Sequence, residues 1–198
     1  MKNTNNNPIK YQDLSKFSVP ANFRGKNVFI VQLWWIVQAT IFRLSPQFMY
    51  GFRAKLLRLF GAKIGHNVLI RNTAIITYPW KLEIGNNTWV GDDSVIYNLD
   101  DVFIGSNVAI AHRVYLCTGL HDTTKLTFDI QAKPIHIKDQ TWLANDIFVG
   151  PGLTVGFGTV IGARSTVLHD MPDGMICYGY PCVPVKQRTI INDSTASV

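Results

Sequence analysis

Aliphatic residues recur at intervals of six through most of this 198-residue chain: Ile64, Ile70, Ile76; Ile84, Val90, Ile96; Ile104, Ile110, Leu116; Ile137, Leu143, Val149; Val155, Ile161, Val167. All fifteen positions are Ile, Leu or Val. The step between triplets is eight from Ile76 to Ile84 and from Ile96 to Ile104, and six again from Val149 to Val155. A helical period of about 3.6 residues does not produce this spacing. A glycine often follows the aliphatic residue, as in IGHNV, IGNNT, VGDDS, IGSNV and IGARS. Gly or Asn beside a short strand suits a tight turn with positive φ. The pattern predicts an all-β fold, a triangular parallel β-helix of about five coils. Each six supplies one short strand and a turn, three make a coil, and the aliphatic residues stack inward.

Such a prism needs its open ends covered, because unpaired strand edges and exposed core invite aggregation. Two helical-looking segments, Val28 to Phe42 and Phe52 to Phe60, stand where they would cap the first coil. At the other end Met171 to Arg188 leaves the repeat and is expected to fold back. The chain therefore divides into a basic, partly helical extension (residues 1–63), the β-helix (64–171) and a C-terminal tail (172–198). The low-complexity ends MKNTNNN and NDSTASV are expected to fray.

The beat fails once. From Leu116 to Ile137 the gap is twenty-one residues where six are expected, which predicts a loop protruding over about 117–134. Long insertions in compact repeat folds are often functional, and His121 stands at the root of this one. An imidazole, with a pKa of about 6.5, can take a proton from an attacking alcohol at neutral pH.

Composition narrows the classes. The net charge of +6 is lopsided: residues 1–63 hold ten Lys/Arg against Asp13 alone, whereas 64–198 hold nine Lys/Arg against twelve acids. An anionic partner or a basic solvated face would each explain this; no zinc-finger, RRM or basic-zipper signature points to nucleic acid. The apolar run Val28 to Phe42 is shorter than the roughly 20 residues a bilayer span needs. Trp34 and Trp35 within it are packing residues or membrane-interface anchors. Three cysteines, Cys117, Cys177 and Cys182, fit reduced thiols in a cytoplasmic protein better than a disulfide frame.

The sextets of residues 64–171, the histidine in TGLHD and the closing GYPCVPVKQR resemble the hexapeptide-repeat acyltransferases. That resemblance implies left-handed winding, a homotrimer, and active sites shared between subunits. It also implies direct attack of a sugar hydroxyl on acetyl-CoA, without a covalent acyl-enzyme and without a metal. Carried over residue by residue, it makes His121 the general base, Asp129 of FDIQAKP the carboxylate that orients it, and Asn98 of VIYNLDD the group that holds the acceptor hydroxyl. The coils after the loop resemble the acetyl-CoA-binding part of the family. Trp142, Ala144, Asn145, Ala163 and Arg164 would line the pantetheine groove, and Lys186 and Arg188 would meet CoA phosphates. Leu168, His169 and Val183 depart from the residues common there in sugar acetyltransferases.

Across nearly the whole chain, LLRLFGAKIG, IYNLDDV, LCTGLHD and KPIHI resemble the colanic acid and exopolysaccharide branch, with the maltose and galactoside acetyltransferases as its neighbours. The implied activity is O-acetylation of a sugar hydroxyl during bacterial surface-glycan assembly in the cytoplasm. A lipid-linked acceptor would give the N-terminal region a reason to lie at the inner face of the membrane. Two other readings of the same fold are a non-catalytic scaffold at a membrane surface and a zinc-dependent carbonic anhydrase. The second needs three convergent imidazoles, and the spacing of His112, His121 and His136 does not match that family's paired loop histidines. His66 and His169 fall in turns and suit surface roles.

Overall fold

The computed structural model describes residues 9–191; the two low-complexity ends lie outside the described residues. Three parallel sheets form the sides of a prism, and successive turns of chain visit them in order. The first sheet stacks Ile64, Ile84, Ile104, Ile137 and Val155 in register. The second stacks Ile70, Val90, Ile110, Leu143, Ile161 and Cys177, and the third Ile76, Ile96, Leu116, Val149 and Val167. All fifteen counted aliphatic residues are buried. Each contributes roughly 1.5–3 kcal/mol by leaving water.

Glycine and asparagine divide the work at the corners. A Cβ on Gly85 would lie 2.6 Å from the Gly105 backbone, so that glycine allows one coil to sit directly on the next. The positive φ falls instead on the asparagine two residues on: Asn67, Asn87 and Asn107 have φ of 53°, 54° and 56°. Asparagine tolerates this region through its short polar side chain.

The winding goes further than the aliphatic count. Met171 bridges Val155, and the strand Met175–Gly179 joins the second sheet beside Val160–Ile161, giving most of a sixth coil. The chain then folds back as Cys182–Gln187, antiparallel to it, and covers that end.

The opposite end shows how side chains replace a missing coil. Helix α1 (Val28–Val37) runs into a π-helical turn, Gln38–Phe42, and α2 follows at Tyr50–Leu59. Each strand of the first coil has a carbonyl with no preceding coil to accept from, and each finds a donor in the cap. Trp34 Nε1 donates to Ile76 O at 2.8 Å, Arg53 Nε to Ile70 O at 2.6 Å, and Arg58 Nε to Ile64 O at 2.9 Å. Gln38 Oε1 accepts from Ile76 N at 2.7 Å. Arg53 is wholly buried, its remaining donors taken by Ser45 Oγ and the carbonyls of Pro46 and Gln47. Two arginines of the basic excess therefore act as neutral-acceptor caps. Trp34 is the packing residue, whereas Trp35 faces outward with the Arg24 guanidinium 5.8 Å above its ring.

The edge between the third and first sheets differs from the other two. The eight-residue corners stack there, and the insertion leaves from it. The N-terminal arm also follows this edge. Trp80 Nε1 donates to Arg24 O and Lys81 Nζ to Phe23 O, while Asp13 N donates to Leu126 O at the tip of the insertion.

Candidate active site

The insertion is a hairpin. Gly119–His121 pairs antiparallel with Ile130–Ala132, with His121 opposite Ile130. Its root is fixed by close packing, since a Cβ on Gly119 would stand 3.0 Å from both the Leu99 and Tyr97 side chains. Buried Thr118 adds a hydrogen bond from its hydroxyl to Tyr97 O and accepts one from Asp100 N. Beyond His121 the tip is tied by its own polar groups. Asp122 Oδ1 accepts from Thr124 N, Asp129 O from Asp122 N, and Lys125 Nζ pairs with Asp129 at 2.9 Å.

His121 is half-buried, and Phe128 controls it. The Phe128 carbonyl lies 2.9 Å from Nδ1. A carbonyl only accepts, so Nδ1 carries the proton and Nε2 is the basic nitrogen of the neutral ring. The Phe128 ring stacks on the imidazole with centroids 4.2 Å apart and planes 8° apart, and Phe17 of the N-terminal arm stands at 6.0 Å. Phe128 adopts φ of 51°, a region bulky residues avoid at a cost of about 1–3 kcal/mol. This backbone places carbonyl and ring on the same imidazole.

Two expected residues have other occupations. Asp129 does not orient His121: its carboxylate is paired with Lys125, and hydrogen bonds from Thr127 and Lys125 hold it below the usual carboxylate range. The orienting group is the Phe128 carbonyl. Asn98 does not face an acceptor pocket. It is fully buried, accepting from Tyr78 N at 2.9 Å and donating to Tyr78 O at 2.6 Å and Lys81 O at 3.0 Å, so it knits one long corner to the corner of the preceding coil.

The residues expected along the pantetheine groove gather elsewhere. Trp142 projects, half-exposed, from the second sheet, in register with Ala109 and Val160. Ala109 separates it from Trp89, and the notch between the two indoles belongs to a groove of about 330 Å³ rimmed by Tyr50, Arg71 and His112. Ala144, Asn145, Ala163 and Arg164 share the edge between the second and third sheets. There Ala144 N donates to Ile161 O and Arg164 N to Asn145 O, and the Asn145 side chain accepts from His112 N. Lys186 is exposed on the returning strand. Arg188 Nη1 clasps the carbonyls of Gln140 and Gly158 and so pins the tail to the prism.

His136 stacks on Phe103 in the first sheet, and His112 accepts from Asp92 N at the corner between the second and third. Neither lies with His121 on the hairpin. Among the described residues no cluster of three or more His, Cys, Asp or Glu side chains could hold a metal ion. Sequence reasoning missed Phe128 and Phe17; neither carries a motif, and the role of each arises from where the chain folds.

No family model matches the chain. It is 55% identical over 177 residues to an Escherichia coli (strain K12) protein provisionally named colanic acid biosynthesis acetyltransferase WcaF, covering 89% of this chain and 97% of that one. It is 31% identical over 144 residues to the galactoside O-acetyltransferase of the same organism, covering 71% and 70%. The structure of a maltose O-acetyltransferase from Clostridium difficile 630 superposes with a TM-score of 0.70 at 25% identity, covering 83% of this chain and 90% of that one. A galactoside acetyltransferase in complex with coenzyme A superposes at 0.75 and 24% identity, covering 90% and 87%, which shows the common fold. With a prism of stacked sextets, a histidine-bearing hairpin on one edge and relatives of this length and identity, the chain belongs to the hexapeptide-repeat acetyltransferases.

Proposed function

We propose that this acetyltransferase moves the acetyl group of acetyl-CoA to a sugar hydroxyl, with Nε2 of His121 taking the hydroxyl proton as oxygen attacks the thioester. The observation that carries the reading is the Phe128 carbonyl on Nδ1, which leaves the neutral ring with one basic nitrogen. The proton goes to the imidazole, the oxygen forms its bond to the acetyl carbon, and the CoA thiolate leaves after collapse of the tetrahedral oxyanion. The imidazolium can then return the proton to the thiolate. The acceptor is a sugar in exopolysaccharide or related surface-glycan assembly, a reading supported by the relative named for colanic acid biosynthesis.

The arrangement favours a shared site. His121 leaves the prism at the edge between the third and first sheets, the edge opposite the second sheet that carries Trp142. Base and donor groove of one protomer therefore point to different sides, and a trimer would bring one copy's hairpin to the next copy's groove. Subunit mixing tests this. His121→Ala and Trp142→Ala proteins, each weak alone, should regain transfer when unfolded together and co-refolded, because mixed trimers contain intact pairs. No gain would overturn the shared site. A thiol-release screen with acetyl-CoA against sugars and glycolipids tests the reaction itself, and the absence of acetyl transfer to any sugar hydroxyl would reject it.

A further inference from the structure

Helix α1 is apolar on both sides. Val31, Trp34 and Val37 face inward and seal the first coil. The opposite arc carries Phe29, Leu33 and Ile36, all exposed, Phe29 at 82%. Past the π-helical turn Leu44 and Phe48 are exposed as well, 79% and 81%. A helix that is apolar on nearly every side, Gln32 alone excepted, belongs in a protein interior or against a bilayer, and several large apolar side chains exposed on one short segment mark an interaction site.

Charge decides what covers it. Lys26 precedes the helix, Arg43 follows its π-helical turn and Lys55 stands on α2, all three exposed. Between Asp13 and Glu83 the sequence holds no acid. Two copies meeting face to face through this helix would set these cations against their own equivalents. An anionic bilayer matches both features, with phosphates at the cationic rim and hydrocarbon beneath the apolar arc. Among the described residues no helix is long and apolar enough to cross a membrane, so the helix would lie in the plane of the interface. Outward Trp35, with Arg24 over its ring, is the kind of amphipathic pair that settles at headgroup depth.

We propose that the outer face of α1, together with Leu44 and Phe48, seats the enzyme on an anionic lipid surface. This stands apart from the acetyl-transfer chemistry, since none of these residues belongs to the candidate active site.

The test is co-sedimentation of the full chain with vesicles of phosphatidylcholine alone and of phosphatidylcholine mixed with phosphatidylglycerol, at low and high salt. Binding to the anionic vesicles is expected at low salt, with a salt-resistant remainder from the apolar arc. Phe29→Glu/Ile36→Glu, at exposed positions, should weaken it at least about tenfold. Lys26→Gln/Arg43→Gln should weaken only the salt-sensitive part. Absence of binding by the unaltered protein at low salt, or binding unchanged by the two glutamates, would overturn the proposal. So would a drop in assembly mass of the glutamate variant by light scattering, which would assign the face to contacts between copies.

Discussion

Phe128 meets His121 twice, its carbonyl 2.9 Å from Nδ1 and its ring flat on the imidazole at 4.2 Å. A single residue in a left-handed conformation thus sets both the tautomer and the tilt of the imidazole. Phe128 is a positioning residue in this account, acting through His121. Phe128→Gly keeps a carbonyl and relieves the backbone but removes the ring. We expect kcat to fall about tenfold with KM for acetyl-CoA little changed, because the ring that holds the plane of the imidazole is gone. A purely structural residue would instead lower the melting temperature and leave kcat per folded enzyme unchanged.

Asn98 makes the sharpest contrast between local resemblance and three-dimensional role. Its three hydrogen bonds join two corners of the prism. Asn98→Ala strands the buried Tyr78 N–H and should cost about 2–3 kcal/mol of stability, measured by urea denaturation. Below its melting temperature the variant should keep its KM for the sugar. A large rise in that KM in folded protein would restore Asn98 to the acceptor site.

Arg53 should be the most sensitive point of the cap. Its guanidinium, wholly buried, satisfies the Ile70 carbonyl at the open edge together with three further oxygens. Arg53→Met leaves those oxygens unpaired. A loss of about 3 kcal/mol and concentration-dependent aggregation are expected. Arg58→Ala, at an exposed position, should cost less than about 1 kcal/mol by the same assay.

The Asp92 carboxyl gives the fold a pH dependence of definite sign. Burial pushes its pKa up, but hydrogen bonds from Arg71 and Thr73 and the nearby charges of Arg71 and His112 outweigh this and hold it below the ordinary value. Its stabilisation is therefore complete above the unfolded carboxylate pKa of about 3.9 and fades as pH falls through the depressed value. Asp92→Asn should cost about 1 kcal/mol at neutral pH. In denaturant titrations that difference should shrink as the pH falls below about 3.9. A difference independent of pH would show that the charge is immaterial.

Much of the architecture was legible because fifteen aliphatic residues at a period of six have no other regular solution, and every one is buried. The break in that period also located the hairpin and its histidine. The sixth coil was hidden because Met171 and Cys177 replace the aliphatic residues that were counted. Asn98 could have been read correctly: alternation from buried Ile96 through Tyr97 sends it inward. Arg53 offered a similar signal, standing one turn from Leu57 on the buried face of α2. Phe128 offered none, since phenylalanine has no preference for positive φ and its carbonyl finds His121 only after the hairpin closes.

The most direct measurement of the central claim is single-turnover acetyl transfer by His121→Ala, with acetyl-CoA affinity measured on the same protein. The account predicts a fall of about 10²- to 10⁴-fold in the transfer rate with a nearly unchanged dissociation constant, because the ring acts on the proton of the acceptor and not on the donor. Transfer at the rate of the unaltered enzyme would contradict it.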